Sequence, residues 1–151
     1  MINWRMQLHP NFAGKSTEHT IDSLSAGYIG LDFKFDVGDL LRADYNSLPH
    51  EEKVQWAFAH EMAIGDKVLV FVHHYPFALA TVTGEYNYIL NPVPELGVWF
   101  RHFRAVNDIR YFSDFRTNAS AWQPITMTAT LTPLRRDDSA SQRLIDEWIA
   151  S

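Results

Sequence analysis

Cysteine, long apolar runs and an excess of positive charge are all missing from this sequence. Without thiols the chain can form no disulfide, no thiolate metal site and no cysteine nucleophile. No apolar run approaches the about 20 residues that a membrane helix needs, and the polar start MINWRMQLHP is unlike a signal peptide. We therefore expect a cytoplasmic protein with no membrane partner.

Catalytic and cofactor motifs are missing as well. The sequence holds no GxSxG elbow and no HExxH pair, and the segment Gly27-Tyr28-Ile29-Gly30 lacks the third glycine of a dinucleotide loop. His73 and His74 are adjacent, so on a strand they would point to opposite faces and could not easily share one metal ion. We expect no catalytic residue, no metal and no cofactor. A small hydrolase or isomerase that uses His73 or His102 stays an alternative.

The charge is acidic overall and unevenly distributed. At a net charge of −5, generic binding to nucleic acid through many phosphate contacts is disfavoured. Residues 1–66 carry ten acids against five bases, whereas residues 67–151 carry eight of each. Within that second part, arginines recur at Arg101, Arg104, Arg110 and Arg116, which makes this segment the best candidate for a basic face. The alternative is a solvated strand edge.

Periodicity predicts one α+β domain over residues 1–151, with a small curved or barrel-like mixed β-sheet flanked by a few helices. Residues 11–18 are predicted to be irregular. One helix is predicted with Ser47 as its cap and Gly65 at its end, and a second from about Ser139. Strands are predicted at Asn3–Leu8, Tyr28–Phe33, Lys67–Val72, Phe77–Thr83, Val98–Val106, Ile109–Phe112 and Ile125–Leu131.

Aromatic side chains make up 14% of the sequence and concentrate near predicted strand ends and loops. Most of them should belong to the core, but tyrosine and tryptophan near glycine and proline loops also form stacking pockets. A base stacked on such a ring gains roughly 1–3 kcal/mol. The aromatic residues in question are Tyr28, Phe33, Tyr75, Tyr86, Tyr88, Trp99, Phe100 and Tyr111.

An ordered set of short motifs resembles the EVE and YTH modules of the PUA-like superfamily. GYIGLD at 27–32, VGDL at 37–40, IGDKVLV at 64–70, ATVTGEYNY at 80–88 and FRHFRAV at 100–106 are similar to EVE-like domains. Among these are the N-terminal specificity domains of McrB-type modification-dependent restriction proteins. GVW at 97–99 followed by IRYF at 109–112, and STEH at 16–19, resemble YTH domains.

This resemblance implies a DNA-binding domain that flips a modified base, a methylated adenine or cytosine, into an aromatic pocket. It implies that a motor or nuclease module acts elsewhere, in the same chain or a partner, and that this chain is a specificity module cut from a larger protein. The alternatives are a binder of small ligands or nucleotides, a protein-interaction domain and, less favoured, an RNA-binding domain. The implied stacking residues are Trp99, Tyr28 and Phe33, with Tyr86 and Tyr88 in addition; the implied polar contacts are Asp32 and Ser16; the implied phosphate contacts are Arg101, Arg104 and Arg110.

Overall fold

A computed structural model describes residues 2–8, 16–33, 35–72, 75–112, 130–134 and 140–150. The strands are β1 (Asn3–Gln7), β2 (Tyr28–Leu31), β3 (Lys67–Val72), β4 (Tyr75–Val82), β5 (Asn87–Tyr88), β6 (His102–Tyr111) and β7 (Leu131–Leu134). The α-helices are α1 (Ser16–Ala26), α2 (Ala57–His60) and α3 (Ala140–Ala150), and short 3-10 helices cover Tyr45–Ser47, His50–Trp56 and Pro94–Leu96. None of these helices is long and apolar enough to cross a membrane.

The described strands form one mixed, curled half-barrel sheet in the order β2-β6-β4-β3-β1-β7, and β5 also pairs with β6. β1 runs parallel to β3, and the other pairings are antiparallel. Together with the flanking helices this confirms the predicted α+β fold with a curved mixed sheet.

The central strand β3 contributes to a core on each face of the sheet, as its continuous apolar run predicts. Val68 and Val70 belong to the main core. The alternate residues Leu69 and Phe71 form a second core with Ile145 of α3. The apolar stripe of α3 therefore covers the sheet of its own chain.

The predicted helix between Ser47 and Gly65 is wrong in type and start. Ser47 ends a 3-10 turn whose cap is Asp44, and its hydroxyl donates a hydrogen bond to the Asp44 carbonyl, so it does not cap the next helix. A 3-10 helix begins only after Pro49 and passes into the four-residue α2, which ends at His60.

The prediction that residues 11–18 are irregular is wrong for Ser16 to Glu18, because α1 begins at Ser16. The many Ser, Thr and Asp residues of this segment favour caps and turns, which hides the helix from sequence reasoning. Packing holds it instead. Leu24 is buried in the main core, and Gly97 lies so close to α1 that an added Cβ would stand 2.9 Å from the Asp22 carbonyl oxygen.

The two strands predicted over residues 98–106 and 109–112 are one strand, β6, which begins at His102. Asn107-Asp108 suggests a turn, but Asp108 takes a positive φ of 48° and the strand continues through a register shift against β4. The predicted strands that correspond to β1, β2, β3 and β4, and the final helix, are confirmed within a few residues. For the strand predicted at 125–131, Leu131 begins β7, and residues 125–129 lie outside the described part of the chain.

Candidate functional site

Three strands end side by side at one edge of the sheet and bring polar and aromatic side chains together there. Leu31, at the end of β2, pairs with His102, at the start of β6, and His102 pairs on its other side with Tyr88, the last residue of β5. The chain leaving β2 and the chain entering β6 add further side chains to this group. We call it the strand-end cluster, and its members are Asp32, Phe33, Asp36, Tyr88, Arg101 and His102.

A hydrogen-bonded chain fixes the protonation state of the His102 ring. The Tyr86 hydroxyl accepts a hydrogen bond from the Leu40 main-chain N–H at 3.0 Å, and it lies 2.6 Å from Nδ1 of His102. Leu40 N–H is a donor, so of these two partners of the Tyr86 hydroxyl only Nδ1 can accept its proton, and we assign the proton of this bond to the hydroxyl. Burial lowers the pKa of His102 to about 4, so the ring is neutral at pH 7 and carries its proton on Nε2.

The Nε2–H of His102 is a buried donor without a hydrogen-bond partner in the described structure. The side chain is fully buried, and its ring is flanked by aromatic rings. Phe33 lies edge-on at 5.2 Å between centroids, and the Tyr88 ring is tilted at 5.3 Å. A buried donor without a partner costs about 1–3 kcal/mol, so this nitrogen is a place where an acceptor would be stabilising.

Two carboxylates and one arginine form the polar part of the cluster. Arg101 donates to Asp32 at 3.0 Å, and its Nε lies 3.9 Å from an oxygen of Asp36. Tyr88 donates its hydroxyl proton to Asp36 at 2.8 Å. The Gly38 N–H, followed by the Tyr88 hydroxyl, lowers the pKa of Asp36, whereas burial and then Asp36 raise the pKa of Tyr88. The carboxylates outnumber the guanidinium, so this edge of the sheet carries a negative charge.

The structure brings together four of the residues predicted for the site, namely Asp32, Phe33, Tyr88 and Arg101. Tyr86, also predicted, lies behind His102 as its hydrogen-bond partner. Sequence reasoning missed Asp36 and assigned His102 only to the alternative of a small hydrolase or isomerase. The one sequence feature that could have indicated His102 as a site residue is its place next to an arginine in the FRHFRAV motif.

Three other predicted base contacts are not among the members of the strand-end cluster. Tyr28 is at the opposite end of β2 and packs edge-on against Phe103 at 5.5 Å. Trp99 stacks on His19 of α1, with ring centroids 4.0 Å apart and an interplanar angle of 12°, so one face of the indole is covered. Ser16 is the first residue of α1. The roles predicted for these three residues stay predictions.

The three arginines predicted to contact phosphate are not gathered on one face. Arg104 is 4% exposed and donates hydrogen bonds to the main-chain carbonyls of Gly84, Phe58 and Met62. Burial lowers the pKa of this guanidinium, which is held inside the fold rather than presented to a partner. Arg110, near the far end of β6, pairs with Asp108 at 3.5 Å. Nine residues separate it from Arg101, a span of at most about 30 Å at about 3.3 Å per residue.

Two cavities open elsewhere on the described surface. The larger has a volume of about 690 Å³, and aromatic and charged side chains surround it. The smaller, of about 350 Å³, lies beside Tyr86 and Arg104. The larger is lined by Tyr45, His50, Lys53, Val54, Trp56, Ala57, Glu61 and Pro133.

Among the described residues, no group of three histidine, aspartate or glutamate side chains is placed so that it could hold a metal ion. His73 and His74 lie outside those residues. The predicted absence of a metal therefore stays a prediction for the whole chain.

The fold defined by this sheet is that of the YTH domains. The crystal structure of the YTH domain of the Zygosaccharomyces rouxii MRB1 protein in complex with N6-methyladenosine RNA is similar over 97% of this chain and 86% of that chain, with a TM-score of 0.50 and 13% sequence identity. The chain belongs to the family described as "Domain of unknown function (DUF8426)", whose model matches residues 4–135. No match was found among the curated proteins.

Proposed function

We propose that this chain is a binding module, not an enzyme, and that it reads a modified nucleobase, a methylated adenine or cytosine in DNA, at the strand-end cluster. The observation that carries the proposal is the convergence of a half-buried tyrosine ring, two carboxylates and a buried histidine donor at one edge of a YTH-like sheet. The YTH-like fold supports a base-reading role, because the similar structure is bound to methylated RNA.

Stacking is the first contribution expected from the cluster. Tyr88 is partly exposed, and its hydroxyl is fixed by Asp36, so the ring offers an oriented face to a planar base. Phe33 is buried more deeply and lies edge-on to the His102 ring. A base stacked on one such ring gains roughly 1–3 kcal/mol, which offsets the few kcal/mol needed to rotate it out of a duplex.

Hydrogen bonds to the edge of the base are the second contribution. The oxygens of Asp32 and Asp36 are acceptors, and they suit the exocyclic N–H that adenine and cytosine retain after a single methylation. His102 Nε2–H is a donor, and it suits the unprotonated ring nitrogen beside that amino group. For a base to reach this nitrogen, Phe33 or Tyr88 must shift, because His102 is fully buried in the unbound chain.

Phosphate contacts are expected to be few. Of the arginines predicted for this role, Arg101 lies within the cluster and Arg110 on the exposed end of β6, and both already have carboxylate partners. Each contact of this kind releases about one counterion, so the affinity should fall only gently as salt is raised. With so few contacts to the nucleic-acid backbone, the preference for a methylated over an unmethylated oligonucleotide must come from contacts to the base itself.

The proposed setting is a specificity module whose motor or nuclease lies elsewhere in the same chain or in a partner, as the McrB-type resemblance suggests. A single domain over residues 1–151 and a cytoplasmic location stay predictions. The same pocket would accept a methylated base in RNA, so the choice between DNA and RNA belongs to the experiment.

Fluorescence-anisotropy titration tests the proposal. The ligands are matched DNA and RNA oligonucleotides that differ only in one base, which is either unmodified or methylated adenine or cytosine. We expect one methylated DNA to bind at least about tenfold tighter than its unmodified twin, a difference of about 1.4 kcal/mol. Equal affinity for every oligonucleotide, or no binding at all, would contradict the proposal.

Variants connect that preference to the cluster. Tyr88→Ala removes the stacking face and should abolish the preference for the methylated base. Tyr111→Ala is the matched control, because Tyr111 is also partly exposed but lies at the far end of β6. Trp99→Ala tests the tryptophan wall predicted from the YTH resemblance. A loss of preference in Trp99→Ala but not in Tyr88→Ala would move the pocket toward α1.

The cavity of about 690 Å³ favours a second candidate function, the binding of a free small molecule. Its volume falls within the range of roughly 300–1,000 Å³ that is usual for ligand pockets. Tyr45 and Trp56 offer aromatic surface there, and Lys53 lies 5.2 Å from the centre of the Tyr45 ring. A free nucleotide that binds in this cavity while oligonucleotides do not bind would establish this alternative.

A further inference from the structure

An exposed phenyl ring stands next to the strand-end cluster. Phe35 is 73% exposed, the highest value among the large hydrophobic side chains in the described structure. It lies between Phe33, which is 5% exposed, and Asp36, which contacts Tyr88. A single exposed hydrophobic residue is common on protein surfaces, so the significance of this one depends on what holds it there.

Hydrogen-bonded residues of the strand-end cluster lie before and after Phe35 in the chain. Before it, Asp32 is bound to Arg101 and accepts the Phe33 N–H at 2.8 Å. After it, Asp36 accepts from both the Gly38 N–H and the Tyr88 hydroxyl. Further on, the Leu40 carbonyl lies 2.7 Å from Nε2 of His60. Phe35 therefore lies next to Asp36 and within three residues of Asp32, beside the place where a base would bind.

We infer that Phe35 is a wedge that enters the space left by the rotated base, and therefore that the proposed reader takes its base from duplex DNA. The inference rests on the proposed function. A base that leaves a duplex leaves a gap between its neighbours, and an apolar side chain inserted there restores part of the lost stacking. Adjacent Cα atoms are about 3.8 Å apart, so the exposed Phe35 begins within that distance of Asp36, a residue of the proposed pocket.

A single strand gives the opposite expectation. Its bases are already unpaired and its backbone can bend away, so there is no fixed gap for a wedge to fill. The contribution of Phe35 should therefore appear only when the modified base begins in a duplex. That difference separates a wedge from a wall of the pocket, which would act on both kinds of substrate.

The test compares one methylated DNA strand, alone and in a duplex, by anisotropy titration of the full chain. Phe35→Ala should weaken duplex binding about tenfold and leave single-strand binding within about twofold. Phe35→Trp keeps a flat apolar ring and should retain duplex binding. Ile149→Ala is the matched control, since Ile149 is 52% exposed but lies on α3, which packs on the opposite face of the sheet.

The outcomes separate the two proposals. If the wild-type chain prefers the methylated base in both forms and Phe35→Ala leaves duplex binding unchanged, the wedge is refuted and the reader stands. Equal weakening of duplex and single strand also refutes the wedge, because Phe35 would then be part of the pocket or of a protein interface. If the wild-type chain shows no preference for a methylated base, the proposed function itself fails.

Discussion

Acidification should destabilise this fold through His102. The folded chain buries the imidazole as a neutral ring, with the Tyr86 hydroxyl on Nδ1, and its pKa falls to about 4 from the ordinary value of 6.5. The unfolded chain exposes the ring and protonates it near pH 6.5. Between pH 6.5 and 4 the unfolded state therefore binds more protons, and stability must decrease as the pH falls through this range.

The size of the effect follows from the two pKa values. Each pH unit across that gap is worth about 1.4 kcal/mol, so the full loss approaches about 3 kcal/mol at the acidic end. Between pH 7 and pH 4.5 the part assignable to His102 is about 2 kcal/mol. For a domain with a typical stability of about 5–15 kcal/mol, this loss is large enough to measure by denaturation.

Urea denaturation at pH 7, 6, 5 and 4.5, on the wild-type chain and on His102→Asn, measures this contribution. The asparagine carbonyl can still accept a hydrogen bond from Tyr86, but the side chain does not titrate. Between pH 7 and pH 4.5 the variant should therefore lose about 2 kcal/mol less stability than the wild-type chain. Parallel profiles would show that His102 titrates normally in the folded protein. Burial would then not hold the imidazole neutral in the folded chain.

Other substitutions test the packing around the site by urea denaturation. Gly30→Ala places a Cβ 2.0 Å from the Phe100 ring and should destabilise the chain by roughly 1–3 kcal/mol or more; an unchanged stability would refute this close approach. Asp66→Ala removes the buried acceptor of the Trp4 indole N–H and should cost about 3 kcal/mol, whereas a loss below about 1 kcal/mol would contradict it. Arg104→Met should lower stability by about 2 kcal/mol and leave the salt dependence of oligonucleotide binding unchanged; a shallower salt dependence would restore its predicted phosphate contact.

Strands with a continuous or alternating apolar pattern were the easiest elements to predict from the sequence. The run at Val68 to Val72 predicts a strand buried on both faces, and the structure shows this strand feeding two cores. The helix α1 was missed because polar and small residues dominate it and its stability comes from packing against Gly97 and the main core. The helix predicted between Ser47 and Gly65 is largely a 3-10 helix, a type that the sequence did not reveal because it depends on the hydrogen bonds within each turn.

The candidate site was predictable in part for a related reason. Asp32, Phe33, Tyr88 and Arg101 are adjacent to predicted strand ends, and strand pairing brings such ends together. Arg104 looked like another surface arginine, because a separation of three residues places it and Arg101 on opposite faces of a strand but does not show which face is buried. Arg104 is buried because its guanidinium donates to the main-chain carbonyls of Gly84, Phe58 and Met62, which are distant from it in the sequence.

The most direct test of the central claim is to observe where a methylated base binds. We would titrate the chain with N6-methyladenine and 5-methylcytosine deoxynucleosides and follow the aromatic ring signals by NMR. The proposal predicts that the signals of Tyr88, Phe33 and His102 shift on binding. Shifts confined to Tyr45 and Trp56, with the strand-end rings unchanged, would place the ligand in the larger cavity and contradict the proposed pocket.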